Sequence, residues 1–211
     1  MNNSHENTAL SFERILFFSD AVFAIVITLL VLELKVPVID REHFTEAGLR
    51  HELLELLPKF LGFIYSFFIV GMMWIEHHRI FRFITHFDFG LIWRNLLFLL
   101  FVAFVPFPTA LFSEYFYSQT AFILYALGFA IAALGKTWIW LYVTKNRETL
   151  MSADVDDEFI KQVKMRSLAV PVVCVIAIGL SFIAVAFGGM SFPLIPLVAN
   201  LLYRKKKEAT A

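Results

Sequence analysis

Charged residues are scarce in this chain. Asp, Glu, Lys and Arg make up 17% of its 211 residues, against 59% hydrophobic residues, and the mean hydropathy is +0.73. That balance lies far outside the range of a soluble domain and reads as an integral membrane protein. The 18 basic and 18 acidic residues cancel, so nothing in the total points to nucleic acid. The one cysteine, Cys174, cannot close an intrachain disulfide and sits in an apolar run as a small packing residue. Hydrolytic motifs are missing too: there is no Gly-x-Ser-x-Gly elbow, no paired Gly-x-Ser-Asp context and no metal-binding His-Glu-x-x-His. The N-terminus lacks a basic segment followed by a short apolar core and a small-residue cleavage site. Its first apolar run continues for about 20 residues, so the first helix is expected to be retained.

What the chain has is apolar length. Runs suited to crossing a bilayer read as helices near Arg14 to Val36, Leu56 to Phe81, Leu91 to Phe112, Gln119 to Thr144, Ser167 to Phe187 and Met190 to Leu202, the last of them short. The expectation is an all-α integral membrane protein of six transmembrane helices, forming a single domain over 1–211 with short termini. The fifth and sixth runs are divided only by Gly188, Gly189 and nearby Pro193, which suits a tight hairpin. Between the fourth and fifth, Lys145 to Arg166 carries carboxylates early and basic residues late, as a solvated surface helix or linker would.

Six spans put both termini on one side. On that side fall Arg14, Arg79, Arg82, Arg94, Lys145, Arg147, Lys161, Lys164, Arg166 and the run Arg204 to Lys207, thirteen basic residues against Lys35, Arg41, Arg50 and Lys59 on the other. The asymmetry predicts cytoplasmic termini in a multi-pass protein of the cell membrane. Lys136, inside the fourth span about two turns from its cytoplasmic end, is expected to snorkel. The basic tail reads as a topology anchor drawn to anionic headgroups.

The first span, RILFFSDAVFAIVITLLVLELK, carries Ser19 and Asp20 back to back. An aspartate there costs about 2.5 to 3.5 kcal/mol on insertion scales, so it needs partners within the protein. Arg14 stands roughly 240° round the helix from Asp20 and cannot serve. On a helical wheel Ser19 and Asp20 share one direction, while Ile25, Thr28, Leu29 and Leu32 gather on the opposite side. One face thus offers a polar anchor, and the other a branched aliphatic stripe with one hydroxyl. Plausible partners at matching depth are Trp74, His77 and His78 in MMWIEHHRIF and Arg94 and Asn95 in WRNLLFL. Together these groups would form a buried polar network that pins three helices.

The pattern Arg-x-x-x-Phe-Ser-Asp, here Arg14, Phe18, Ser19 and Asp20, resembles the signature of the tetrameric potassium channels that include the lysosomal potassium channel of animals. WIEHH at Trp74 to His78 and NLLFLLFVAFVPFPTAL at Asn95 to Leu111 are similar to that family's second and third spans. The single six-span copy matches bacterial members. The resemblance implies a homotetramer in which four first helices surround a central pore. It implies an apolar constriction at Ile25, further pore positions at Leu29 and Leu32, and a hydroxyl ring at Thr28 that bears on selectivity. It also implies a network of Arg14, Phe18, Ser19 and Asp20 with Trp74, His77 and Asn95, in which the motif holds the pore helix without touching the ion.

No TVGYG carbonyl filter and no voltage-sensing row of arginines occurs, which excludes the common potassium-channel mechanism. An aliphatic neck would instead gate by dewetting, with modest preference for potassium over sodium. The implied partners are other copies of the chain, the lipid bilayer and permeant potassium ions, with no cofactor, metal or nucleic acid. Competing readings are a proton pathway or secondary cation transporter using Asp20, Glu33, Glu76, His77 and His78 as relay groups. An intramembrane enzyme is disfavoured. Ser19 and Asp20 diverge by about 100° and the adjacent histidines are wrongly spaced for a shared metal.

Overall fold

The computed structural model describes residues 2–40, 42, 44–152 and 154–208, with side chains described between 13 and 201 apart from 41, 43 and 153. The Arg204 to Lys207 side chains and that of Arg41 therefore lie outside the described set. The chain is all-helical. No glycine or proline occurs before Pro37, so α1 (Asn2–Leu29) runs unbroken into a 3-10 turn, Leu30–Glu33. It is capped at Leu34, three residues before Pro37, which cannot continue a helix.

Side-chain caps begin three later helices. Thr45 accepts the Gly48 N–H at the start of α2 (Glu46–Glu55). Asp88 accepts the Leu91 N–H at the start of α4 (Phe89–Phe104). Ser118 accepts the Ala121 N–H at the start of α6 (Gln119–Lys145). Each satisfies one of the orphan donors of a first turn. Prolines set two other starts, at α3 (Leu57–Phe81) and α5 (Pro106–Glu114), where the missing N–H costs nothing. The remaining helices are α7 (Arg147–Leu150), α8 (Asp157–Ser167), α9 (Ala169–Ser181), α10 (Val185–Gly189) and α11 (Ile195–Glu208).

Among the described residues, five stretches are long and apolar enough to cross a membrane: Glu13–Glu33, Leu57–Phe81, Phe89–Glu114, Gln119–Lys145 and Asp157–Ser181. The sixth expected helix is a shorter apolar stretch, Val185–Leu201, broken between α10 and α11. The break centres on Pro193, and just before it α10 is held close to its neighbours. Phe192–Leu194 forms a 3-10 turn around Pro193. Gly188 also comes so close to the Phe122 ring and the Ala177 carbonyl that a Cβ would stand 2.6 and 2.8 Å from them. From there α11 returns along α9 and α8, giving the hairpin.

The protomer is built around α6. In its span 61% of residues are buried, against 22% in the first span, so α6 is the hub and α1 lies at the edge. Small residues make this possible: Ala126, Gly128, Ala132, Ala133 and Gly135 are buried on α6 and let α4, α5 and α9 approach closely. Lipid supplies no hydrophobic force between helices, so such close packing and interhelical hydrogen bonds hold the bundle. Ser66 of α3, for instance, lies 3.1 Å from both the Thr109 hydroxyl of α5 and the Tyr125 hydroxyl of α6.

Two polar features depart from the sequence reading. Lys136 does not snorkel; it is 1% exposed and ion-paired with Glu76 of α3. It lies nine residues before the end of α6, about 13 Å at 1.5 Å per residue, farther than a lysine side chain reaches. The charged connection also has a packed side. Its helix α8 carries Asp157 and Glu158 in its first turn and Lys164 and Arg166 in its last. Yet Val163 is buried, Phe159 meets Phe83, and the Ile160 carbonyl accepts the Trp140 indole N–H.

Candidate pore helix and its anchor

α1 packs against α3 and α4 along one side. Phe23, Val26 and Leu30 turn inward there, at i, i+3 and i+7, the spacing of one helical face. Ser19, one turn before Phe23, is buried on the same side. Its hydroxyl donates to the Ile15 carbonyl at 2.9 Å, and its oxygen accepts the Asn95 Nδ2–H of α4 at 2.9 Å. With its amide nitrogen committed to Ser19, Asn95 presents Oδ1 to His77 Nε2 of α3 at 3.0 Å. The imidazole therefore donates from Nε2, which places the tautomer's hydrogen there. Its Nδ1 is buried without a hydrogen-bond partner. Three helices thus meet in one chain of donors, from His77 through Asn95 and Ser19 to the backbone of α1.

Beside this chain Asp20, half-buried, accepts the Trp74 indole N–H at 2.8 Å. Aromatic rings enclose the histidine. Phe81 stacks on it with centroids 4.2 Å apart, Phe98 lies parallel at 5.6 Å, and Phe23 is tilted at 5.7 Å. A buried aromatic box of this kind strengthens each hydrogen bond inside it and raises the cost of leaving one unmade.

The other side of α1 is bare. Ile25 is 58% exposed, Leu29 42% and Leu32 65%, and Thr28 is exposed between them. The Thr28 hydroxyl donates back to the carbonyls of Ala24 and Ile25 at 3.0 and 2.8 Å. Its hydrogen is occupied within the helix, so its free lone pairs are what it presents outward. These four residues share the face opposite Ser19 and Asp20.

The structure brings Ser19, Asp20, Trp74, His77 and Asn95 together. It leaves Arg14 and Phe18 out: both are exposed, and among the described residues Arg14 has no hydrogen bond or ion pair to a neighbour. His78 is exposed, its ring 6.1 Å from that of Trp74. Arg94 turns away from the anchor. It donates to the Gly90 carbonyl at 2.8 Å and lies over the Tyr142 and Trp138 rings at 3.7 and 4.7 Å. Sequence reasoning missed the three phenylalanines around His77, although Phe23 and Phe81 follow Ser19 and His77 at the (i, i+4) spacing that marks a shared face. Among the described residues no group of three or more His, Cys, Asp or Glu is placed to hold a metal ion.

Comparison with known proteins places this arrangement in a family. The family model described as endosomal/lysosomal potassium channel TMEM175 matches residues 14–106, which contain the whole anchor and the bare face. The chain is 35% identical over 179 residues to a potassium channel of Streptomyces collinus, covering 81% of this chain and 82% of that protein. Its fold matches the crystal structure of a lysosomal potassium-selective channel TMEM175 homolog from Chamaesiphon minutus, with a TM-score of 0.76 and 35% identity over 91% of this chain and 98% of that one. An endosomal/lysosomal proton channel TMEM175 of Danio rerio is 38% identical over 86 residues, 38% of this chain and 16% of that protein. Aligned over four fifths of its length with a channel and sharing its fold with another, the chain belongs to the TMEM175 family.

Proposed function

We propose that the protein is a potassium channel of the cell membrane, assembled as a homotetramer with α1 of each protomer lining a central pore. The observation that carries this reading is the sidedness of α1. One side is pinned to α3 and α4 through Ser19 and Asp20, and the other presents Ile25, Thr28, Leu29 and Leu32 with no covering from the protomer. Four such faces around an axis make a tube of aliphatic rings with one ring of hydroxyl oxygens. Potassium channels among the relatives of both sequence and fold support the choice of ion.

At Ile25 the neck offers an ion no replacement for its hydration shell, so a narrow ring dewets and closes. A small rotation of α1 widens it. The Thr28 oxygens and retained water then become partners for the ion, and with fewer fixed oxygens than a carbonyl cage the preference for potassium over sodium is modest. The chain acts as one domain, its broken last stretch completing a sixth crossing and both termini cytoplasmic. Ser19, Asp20, Trp74, His77 and Asn95 hold the pore helix, with Arg14 and Phe18 at its cytoplasmic entrance.

The test is a flux assay on purified protein in liposomes under opposed potassium and proton gradients. Passive potassium current that collapses with the gradient is expected; saturable, coupled exchange overturns the reading. In the same vesicles Thr28→Ala is expected to bring the potassium-to-sodium permeability ratio toward one. A second reading, proton conduction, draws on the proton channels among the animal relatives and on the buried donor chain from His77 to Ser19. Acidification of the lumen with no potassium present would favour it.

A further inference from the structure

We propose that a groove between α3, the junction of α8 with α9, and α11 holds one anionic phospholipid, with its phosphate between Arg79 and Arg166. The groove has a volume of about 210 Å³ and has two unlike ends. Its deep end is apolar, lined by Met72 and Ile75 of α3, Val170 of α9 and Ile195 and Ala199 of α11. Its other end carries the two guanidinium groups. From Met72 to Arg79 is seven residues, about 10 Å of helix. Arg79 stands two residues before the end of α3 and Arg166 one before the end of α8, so both charges fall where a lipid headgroup lies while the deep end follows an acyl chain.

The charges there are free to take a ligand. Among the described residues neither arginine has a carboxylate within ion-pair distance, and the Arg166 Nε is buried with no hydrogen-bond partner. Glu76, the one carboxylate in the lining, is already paired with Lys136. The site therefore keeps two uncompensated positive charges beside an apolar wall. Guanidinium forks match phosphate oxygens two at a time. A lipid with net negative charge satisfies both arginines, whereas a zwitterionic one brings its own cation to the same place.

Native mass spectrometry of the full chain in mild detergent tests this, with phosphatidylglycerol and phosphatidylcholine of matched chains supplied at equal concentration. Phosphatidylglycerol adducts are expected to exceed phosphatidylcholine adducts at least fivefold or so, and Arg79→Gln and Arg166→Gln each to cut that preference about fivefold, the worth of one basic residue at an anionic surface. Arg82→Gln removes an exposed charge at the same end of α3 but outside the groove lining, and it is expected to leave the ratio unchanged. Equal retention of the two lipids, or an equal loss in Arg82→Gln, overturns the site. Retention of soluble glycerol phosphate as strong as that of the lipid overturns it in favour of a free-anion site. Ala199→Trp fills the groove and should abolish the preference; dissociation of the assembly with the preference intact would show that a second copy occupies the groove instead.

Discussion

The Trp74 indole N–H donates to Asp20 Oδ1 at 2.8 Å, tying α3 to α1 at the carboxylate inside the first span. One interhelical hydrogen bond in a membrane is worth about 0.6 kcal/mol on average and about 1.7 at most. That is less than the roughly 2.5 to 3.5 kcal/mol that an aspartate costs in a span. Asp20 is thus only partly compensated by this partner. The contact orients α1 more than it stabilises it.

Trp74→Phe keeps the ring and removes the N–H. It is expected to lower the thermal midpoint of the purified protein by an amount matching about 1 kcal/mol, with Trp74→Phe and Asp20→Asn combining less than additively. Permeability ratios in the folded variants should stay at the wild-type value. A variant that folds normally yet changes its ion preference would place Asp20 in the conduction path.

Asn95 joins Ser19 and His77 and so makes two interhelical bonds, whereas Ser19 has a fallback in its own helix at the Ile15 carbonyl. Asn95→Leu should therefore cost more than Ser19→Ala, by about 1 kcal/mol, because it also strands the His77 Nε2–H in an aromatic box. Chemical or thermal unfolding of both variants in one detergent measures the difference, and equal costs would contradict the direction assigned to the chain of donors.

Lys136 and Glu76 form a pair with one fully buried partner. Lys136→Met alone leaves a carboxylate without its cation, and Glu76→Gln alone leaves a buried ammonium. Each is expected to be strongly destabilising, on the order of 3 kcal/mol. The double variant is expected to recover most of that loss, since removing both charges also removes their desolvation. Yield and thermal midpoint of the two single variants and the double variant decide it.

Ile25→Asn puts a hydrogen-bonding side chain on the bare face of α1 one turn beyond Ala21. Hydrating the proposed neck is expected to raise resting potassium flux in liposomes severalfold without unfolding the protomer, because Ile25 makes no part of its core. Unchanged flux in a well-assembled variant would move the constriction elsewhere.

Periodicity alone separated the two faces of α1. At 100° per residue Ser19 and Asp20 cannot share a side with Ile25 and Leu29, whatever packs against them. The all-helical class and four of the crossings were equally legible, since a bilayer leaves an apolar run of about 20 residues little choice but helix. Arg14, Phe18 and Arg94 show where such reading stops. Each lies near the anchor in sequence, but Arg94 lies over the faces of Tyr142 and Trp138, and Arg14 and Phe18 are exposed in the protomer.

Hydropathy and helical geometry, both local properties, by themselves determined that this chain lives in a membrane and that its first helix has one polar and one aliphatic side. Tertiary structure alone decided which groups meet across helices: Trp74 on Asp20, Asn95 between Ser19 and His77, Lys136 on Glu76 rather than at the water interface. The reason is physical. A polar side chain in lipid takes the nearest partner within reach, and distance between helices is set by the packing of small and aromatic residues far apart in sequence, such as Gly188 against Phe122.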